Sequence, residues 1–155
     1  MPTLDQIRNA IAAKIAAVPD IGKVHEYERF AKGEKDFRTL YEHNGQIRGW
    51  NVRRLTKAEN APAQGCYNVL NKWRISGFLS LDDANQSEIV FDNLVEAVCD
   101  AFRADETLGG LIAGTVMDNP NVAGIQVEDS GPVMFAGVLC HSARLVLYTW
   151  HIRKG

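Results

Sequence analysis

A chain of 155 residues is most simply one domain, here residues 1–155, and that size buries roughly 70% of the surface its unfolded form exposes, so a core needs neither disulfide nor metal. A formal net charge of −2 and a pI near 6.1 argue against a dedicated nucleic-acid binder, which carries a strongly basic face. With no long apolar run, no membrane span is expected, and the Met1–Asp5 start lacks the parts of a signal peptide. Cys66, Cys99 and Cys140 are widely spaced and outside any CxxC pair, which reads as reduced thiols in a cytosolic chain without a zinc site.

Thr3 followed by Gln6 is a capping-box pattern, and Leu4, Ile7, Ile11, Ile15 and Val18 fall on one helical face before Pro19. The spacing predicts a helix over about 4–17. Lys23–Tyr27 alternates as a strand, 28–35 reads as a loop, and Phe37, Leu40 and Tyr41 predict a short helix over 34–43 closed by Asn44-Gly45.

Residues 47–56 (IRGWNVRRLT) alternate with arginine on both faces. Arg48, Trp50, Val52 and Arg54 share one face; Ile47, Gly49, Asn51, Arg53 and Leu55 share the other. Such a strand is half exposed or lies against a partner chain. The connection 57–65 (KAENAPAQG) has no apolar anchor and reads as a mobile tip, and residues 67–78 return as a strand. Together 47–78 form a long predicted hairpin.

Asp83 with Gln86 repeats the capping-box pattern, and Phe91, Leu94, Val95, Val98 and Phe102 form the stripe of a helix of about twenty residues, roughly 30 Å long, before Gly109-Gly110. Its other face (Asp92, Asn93, Glu96, Asp100, Arg103) is solvated. Then come a strand over 111–116, a turn-rich loop over 117–123, a short strand over 124–128, a tight turn at Asp129–Pro132, and one long strand over 133–152 able to pair with two partners. The fold class expected is α+β: a mixed, mainly antiparallel sheet with two main helices packed on one face and a long hairpin.

Chemistry is scarce. His25-Glu26 and Cys140-His141 are neighbours on strands, so each pair points to opposite faces. His43, His141 and His151 lack metal-ligand spacing, and Asp82-Asp83 with Glu88 lacks the regular spacing of a calcium loop. No P-loop, GxGxxG or GxSxG occurs. No catalytic residue, cofactor or metal is expected. Arg48, Arg53, Arg54, Lys57, Lys72 and Arg74 cluster on the hairpin. In a monomer they are a solvated strand pair that discourages edge aggregation; in an oligomer they pair with an acidic surface such as Asp92–Glu96–Asp100.

Six segments carry a resemblance that spans the chain: 24–30 (VHEYERF), 47–52 (IRGWNV), 73–77 (WRISG), 81–84 (LDDA) with Ser87-Glu88, 102–105 (FRAD) through Leu108-Gly109-Gly110, and 137–141 (GVLCH). In order and spacing they resemble the tail terminators of long-tailed, siphovirus-type bacteriophages or prophages. The resemblance implies a non-enzymatic subunit, assembled in the host cytoplasm, that forms a hexameric ring on the tail tube in the virion neck region. The ring stops tube polymerisation and receives the head-completion proteins. Partners are then further copies of the chain, the tube protein and a neck protein, with DNA only passing through and no membrane. The family has no catalytic residues to carry over. Arg48, Trp50, Arg53, Arg54, Lys57, Lys72 and Arg74, with Asp92 and Glu96 opposite, are the expected subunit or partner interface. Two other readings stay open: another neck or head–tail completion protein, and a small thiol enzyme using Cys140 or Cys99.

Overall fold

The structure, a computed structural model, describes residues 1–29, 33–115 and 124–155. Helix α1 (Leu4–Ala16) opens on the predicted capping box: Thr3 Oγ1 accepts from the Gln6 N–H at 3.1 Å, and the Thr3 N–H donates to Gln6 Oε1 at 2.9 Å. Ile7, Ile11 and Ile15 are fully buried. Strand β1 (Lys23–His25) is shorter than the expected 23–27. Helix α2 (Glu34–Tyr41) hands directly to β2 (Glu42–His43), and Asn44 and Gly45, both at positive φ, turn the chain into β3 (Gln46–Ala63). The helix predicted over 34–43 thus yields its last two residues to the sheet, and the expected loop 28–35 yields its last two to α2; residues 30–32 lie outside the described residues.

The connection over 57–65 is not a loop. β3 continues to Ala63, only Gln64 and Gly65 turn, and β4 (Cys66–Ser80) returns. Every residue from Thr56 to Gln64 is exposed, so apolar burial does not hold this extension. Main-chain pairing does: β4 pairs with β3 from Ala63 back to Arg48, and on its other side with the last strand from Lys154 to Cys140. Pro62, which has no N–H to give a ladder, sits in the register irregularity between Asn60 and Ala63. The result is a three-stranded arm that leaves the body.

After β4, Asp83 does not cap the main helix. Residues Asp83–Asn85 make one 3-10 turn, Gln86 takes the left-handed conformation (φ 57°), and α3 runs Ser87–Ala104. Asp82 and Ser87 close the turn reciprocally: the Ser87 N–H donates to Asp82 O at 3.2 Å and the Asp82 N–H donates to Ser87 Oγ at 2.9 Å. The stripe Phe91, Leu94, Val95, Val98 and Phe102 is buried as the spacing predicts, joined by Cys99; each such side chain contributes about 1.5–3 kcal/mol relative to exposure.

Residues 111–115 form no strand; one bridge joins Gly114 to Trp150, and 116–123 lie outside the described residues. β5 (Ile125–Phe135) then runs straight through the expected turn at Asp129–Pro132, and the chain reverses at Ala136-Gly137, both at positive φ, into β6 (Val138–Lys154). The Asp-Ser-Gly-Pro stretch is accommodated because β5 is an edge strand, where a residue without an N–H is tolerated, and because a bulge at Glu128, between Val127 and Asp129, absorbs one residue. The single strand expected over 133–152 is therefore two, although β6 does pair with two partners, β4 and β5.

The sheet order is β1-β3-β4-β6-β5 with β2 also on β3; β1 and β3 are parallel and the other pairs antiparallel. The fold is α+β, as the pattern predicted. α1 and α3 cover one face, burying Trp50, Val52, Trp73, Ile75, Leu145 and Leu147 between them and the sheet. α2 covers only one end of the other face, where Tyr41, Ile47 and Cys140 pack with Phe78, Phe135 and Val138. Among the described residues no helix is long and apolar enough to cross a membrane.

Candidate functional site

The part of the sheet that α2 leaves open carries the cations. Period-2 alternation sends Asn51 and Arg53 of β3, Ser76, Arg74 and Lys72 of β4, and Ser142, Arg144 and Tyr148 of β6 to that face. The registers then align them: Arg53 opposite Arg74, Asn51 opposite Ser76, Ser76 opposite Arg144, and Lys72 opposite Tyr148. With Glu28, Arg29, Phe37 and Tyr41 on one side and Val133 and Phe135 on the other, Asn51, Arg53, Arg74, Ser76, Ser142 and Arg144 line a trough of about 290 Å³, and Lys72 and Tyr148 continue the same face beyond it.

Its electrostatics are lopsided. Arg53 Nη1 meets Glu28 Oε2 at 3.3 Å, both side chains well exposed, an arrangement worth about 0–1 kcal/mol. Lys72 Nζ stands 6.0 Å above the Tyr148 ring centroid. Arg74 is half-buried, and its Nε is buried without an acceptor among the described residues, a state that costs about 1–3 kcal/mol. Like charges directly opposite on adjacent strands, as Arg53 and Arg74 are, also destabilise a sheet. The aromatic wall is rigid by contrast: Tyr41 stands edge-on to His25, Phe78 and Phe135, and Asn51 Nδ2 donates to its hydroxyl at 3.1 Å. Burial pushes the Tyr41 phenol above its ordinary range, the Asn51 bond opposing, so the trough carries cationic charge against a neutral phenol.

The sequence-predicted residues divide. Arg53, Lys72 and Arg74 meet on the open face. Arg48 turns to the helix side, where its Nη1 donates to Asp20 O at 2.7 Å. Trp50 belongs to the core and not to the surface: it is 1% exposed, stacks on Phe91, and donates from Nε1 to Ile21 O at 3.1 Å. Arg54 lies half-buried opposite Trp73, and Lys57 pairs with Glu59 on the arm at 2.8 Å. Asp92 and Glu96 are exposed on α3, across the sheet from the trough, so no single chain brings them to the arginines. Arg144, Arg29 and the Phe37–Phe135 wall were missed. Period 2 puts Arg144 on the same face of β6 as Ser142 and Tyr148, but placing it beside Ser76 requires the β4–β6 register.

The geometry also bears on the thiol and histidine candidates. Cys140 and His141 point to opposite faces, Cys140 into the α2 cluster and His141 against Phe91. Burial pushes the Cys140 thiol up to about 11, and burial with the nearby Glu96 raises that of Cys99, the reverse of an activated nucleophile. Ser87 Oγ and His141 Nε2 are 2.8 Å apart, the spacing of a nucleophile and its base. Ser87 is only 5% exposed, however, and its oxygen already accepts from Asp82. Among the described residues no carboxylate bonds the other ring nitrogen, so the pair fastens the start of α3 to β6. No group of three or more His, Cys, Asp or Glu among the described residues is placed to hold a metal ion. No protein-family model matches the chain, and no curated protein matches it at a significant level.

Proposed function

We propose that the chain is a structural subunit of a phage or prophage tail, a tail terminator whose copies form a hexameric ring on the tube, stop its growth and present the docking surface for head–tail joining. The observation that carries the reading is the open, arginine-lined face of β3, β4 and β6 beside the exposed arm. A lone subunit gains little from the exposed Arg53 and Arg144 or from the partly desolvated Arg74, whereas a subunit interface supplies such guanidinium groups with carboxylates. The arm, exposed along residues 56–64, offers an extended surface toward the tube protein or the neck protein. On this reading the protein acts by shape and charge, without catalysis or cofactor, in the tail–neck region of the virion.

The test is genetic and structural. A phage lacking the gene makes overlong, headless tails, and cryo-electron microscopy of complete particles places the chain at the top of the tube. Normal tail length and normal head joining without the gene would refute the proposal.

A further inference from the structure

The arginine trough and the acidic face of α3 are complementary in charge, length and apolar content, and they lie on opposite faces of one sheet. On α3, Glu88, Asp92 and Glu96 fall four residues apart on one stripe and are exposed without an ion pair among the described residues. Eight residues of helix span about 12 Å. Across the trough, Arg53, Arg74 and Arg144 occupy three adjacent strands, two strand spacings or about 10 Å. Beside the stripe, Ile89 is 55% and Val90 37% exposed, and at the trough Val133 is 37% exposed, next to Phe135 and Phe37. Glu28 already shows a carboxylate reaching Arg53 within the trough, and the buried Nε of Arg74 lacks an acceptor among the described residues.

From these observations we infer that the trough of one copy receives the α3 stripe of a second copy, Asp92 and Glu96 meeting Arg53, Arg74 and Arg144 while Ile89 packs on the Val133–Phe135 wall. The inference rests on the reading of the chain as a ring subunit and names the contact that builds the ring. Because the two surfaces back onto each other through the sheet, the contact is head-to-tail and not two-fold. Repeated copies wind in one sense and close wherever the rotation divides the circle.

Two charge reversals at exposed positions test it, with the full chain measured by native mass spectrometry both alone and on purified tail tubes. Arg53→Glu with Arg144→Glu makes the trough acidic; Asp92→Arg with Glu96→Arg makes the stripe basic. Each variant alone is expected to lose assembly by at least tenfold in concentration. An equimolar mixture is expected to regain it, in rings of alternating composition with an even number of chains, because each reversed surface then faces an opposite charge. Recovery on mixing also shows that neither variant failed merely by misfolding. A ring whose mass survives either reversal, or a mixture that does not recover, overturns this contact and leaves the ring reading standing. A wild-type chain that stays monomeric alone and on tails overturns both.

Discussion

Gly77 is the position where a single added methyl group is expected to do most damage. It lies directly opposite Trp50 in the β3–β4 register, and the indole lies flat across it. A Cβ built at Gly77 falls 2.4 Å from Trp50 Cζ3, 2.5 Å from Cε3 and 2.6 Å from Cη2. Carbon atoms pack at about 3.5–4.0 Å, so the ring has to retreat by roughly 1 Å. It has no free direction, since it is 1% exposed, backed by Phe91 at 6.0 Å between centroids and tied through Nε1 to Ile21 O at 3.1 Å. Overpacking a core costs about 1–3 kcal/mol, and stretching the indole hydrogen bond adds about 1 kcal/mol. Gly77→Ala is therefore expected to destabilise the chain by roughly 3 kcal/mol, a Tm decrease of about 10 °C at this chain length. Urea and thermal unfolding followed by circular dichroism read this directly, with Gly131→Ala as the control, because nothing lies within 4 Å of a Cβ there. Trp50→Leu is expected to cost less in the Gly77→Ala background than in the wild type, since the clash is then absent. A Gly77→Ala chain within about 0.5 kcal/mol of wild type would refute the packing argument.

Three further outcomes follow from local features. Thr3→Ala removes one half of the α1 capping box and is expected to cost about 1 kcal/mol, read as a lower urea midpoint at unchanged slope; no change in midpoint would mean the cap is not formed in solution. In the folded chain Cys66 is expected to react first with a thiol reagent, and the buried Cys99 and Cys140 only on unfolding; prompt modification of Cys140 would contradict its burial and its raised pKa. His151 is held below its ordinary value of 6.5, first by burial and then by Arg153 and Lys57. Below that pH the unfolded chain takes up the proton before the folded one, so this contribution is complete above about 6.5 and is lost as pH falls toward the depressed folded value. Urea midpoints at pH 7.5 and 5.5 are expected to differ less in His151→Gln than in wild type; equal pH dependence would show that His151 is not the group.

What was legible in the sequence was what local pattern determines. The α1 cap and its isoleucine face, the α3 stripe and the face assignments of β3, β4 and β6 all follow from period 3.6 or period 2. What failed was held by distant partners. Residues 57–63 have no apolar anchor and looked like a loop, yet β4 pins them because β6 pins β4. Asp129–Pro132 has turn chemistry, but an edge strand with a bulge accommodates it, and Ala136-Gly137 reverses the chain instead. Asp83 lost the cap because Asp82 and Ser87 satisfy one another across the 3-10 turn. The trough was half legible for the same reason: Arg53 and Arg74 face each other within one hairpin, whereas Arg144 arrives from a strand far along the chain.

The outer strand β5 has a consequence for how copies of the chain can meet one another. It is eleven residues long and exposes Val127, Val133 and Met134, which would make it a template for open-ended strand stacking. The bulge at Glu128 breaks its regular hydrogen-bond spacing, Pro132 deletes one donor, and Glu128 and Asp129 bring adjacent negative charge. A second strand laid along that edge finds neither a continuous ladder nor a neutral surface. The chain can thus be concentrated without fibre growth along the sheet, which is blocked by Glu128 together with the four residues Asp129–Pro132 that look, in sequence, like a turn.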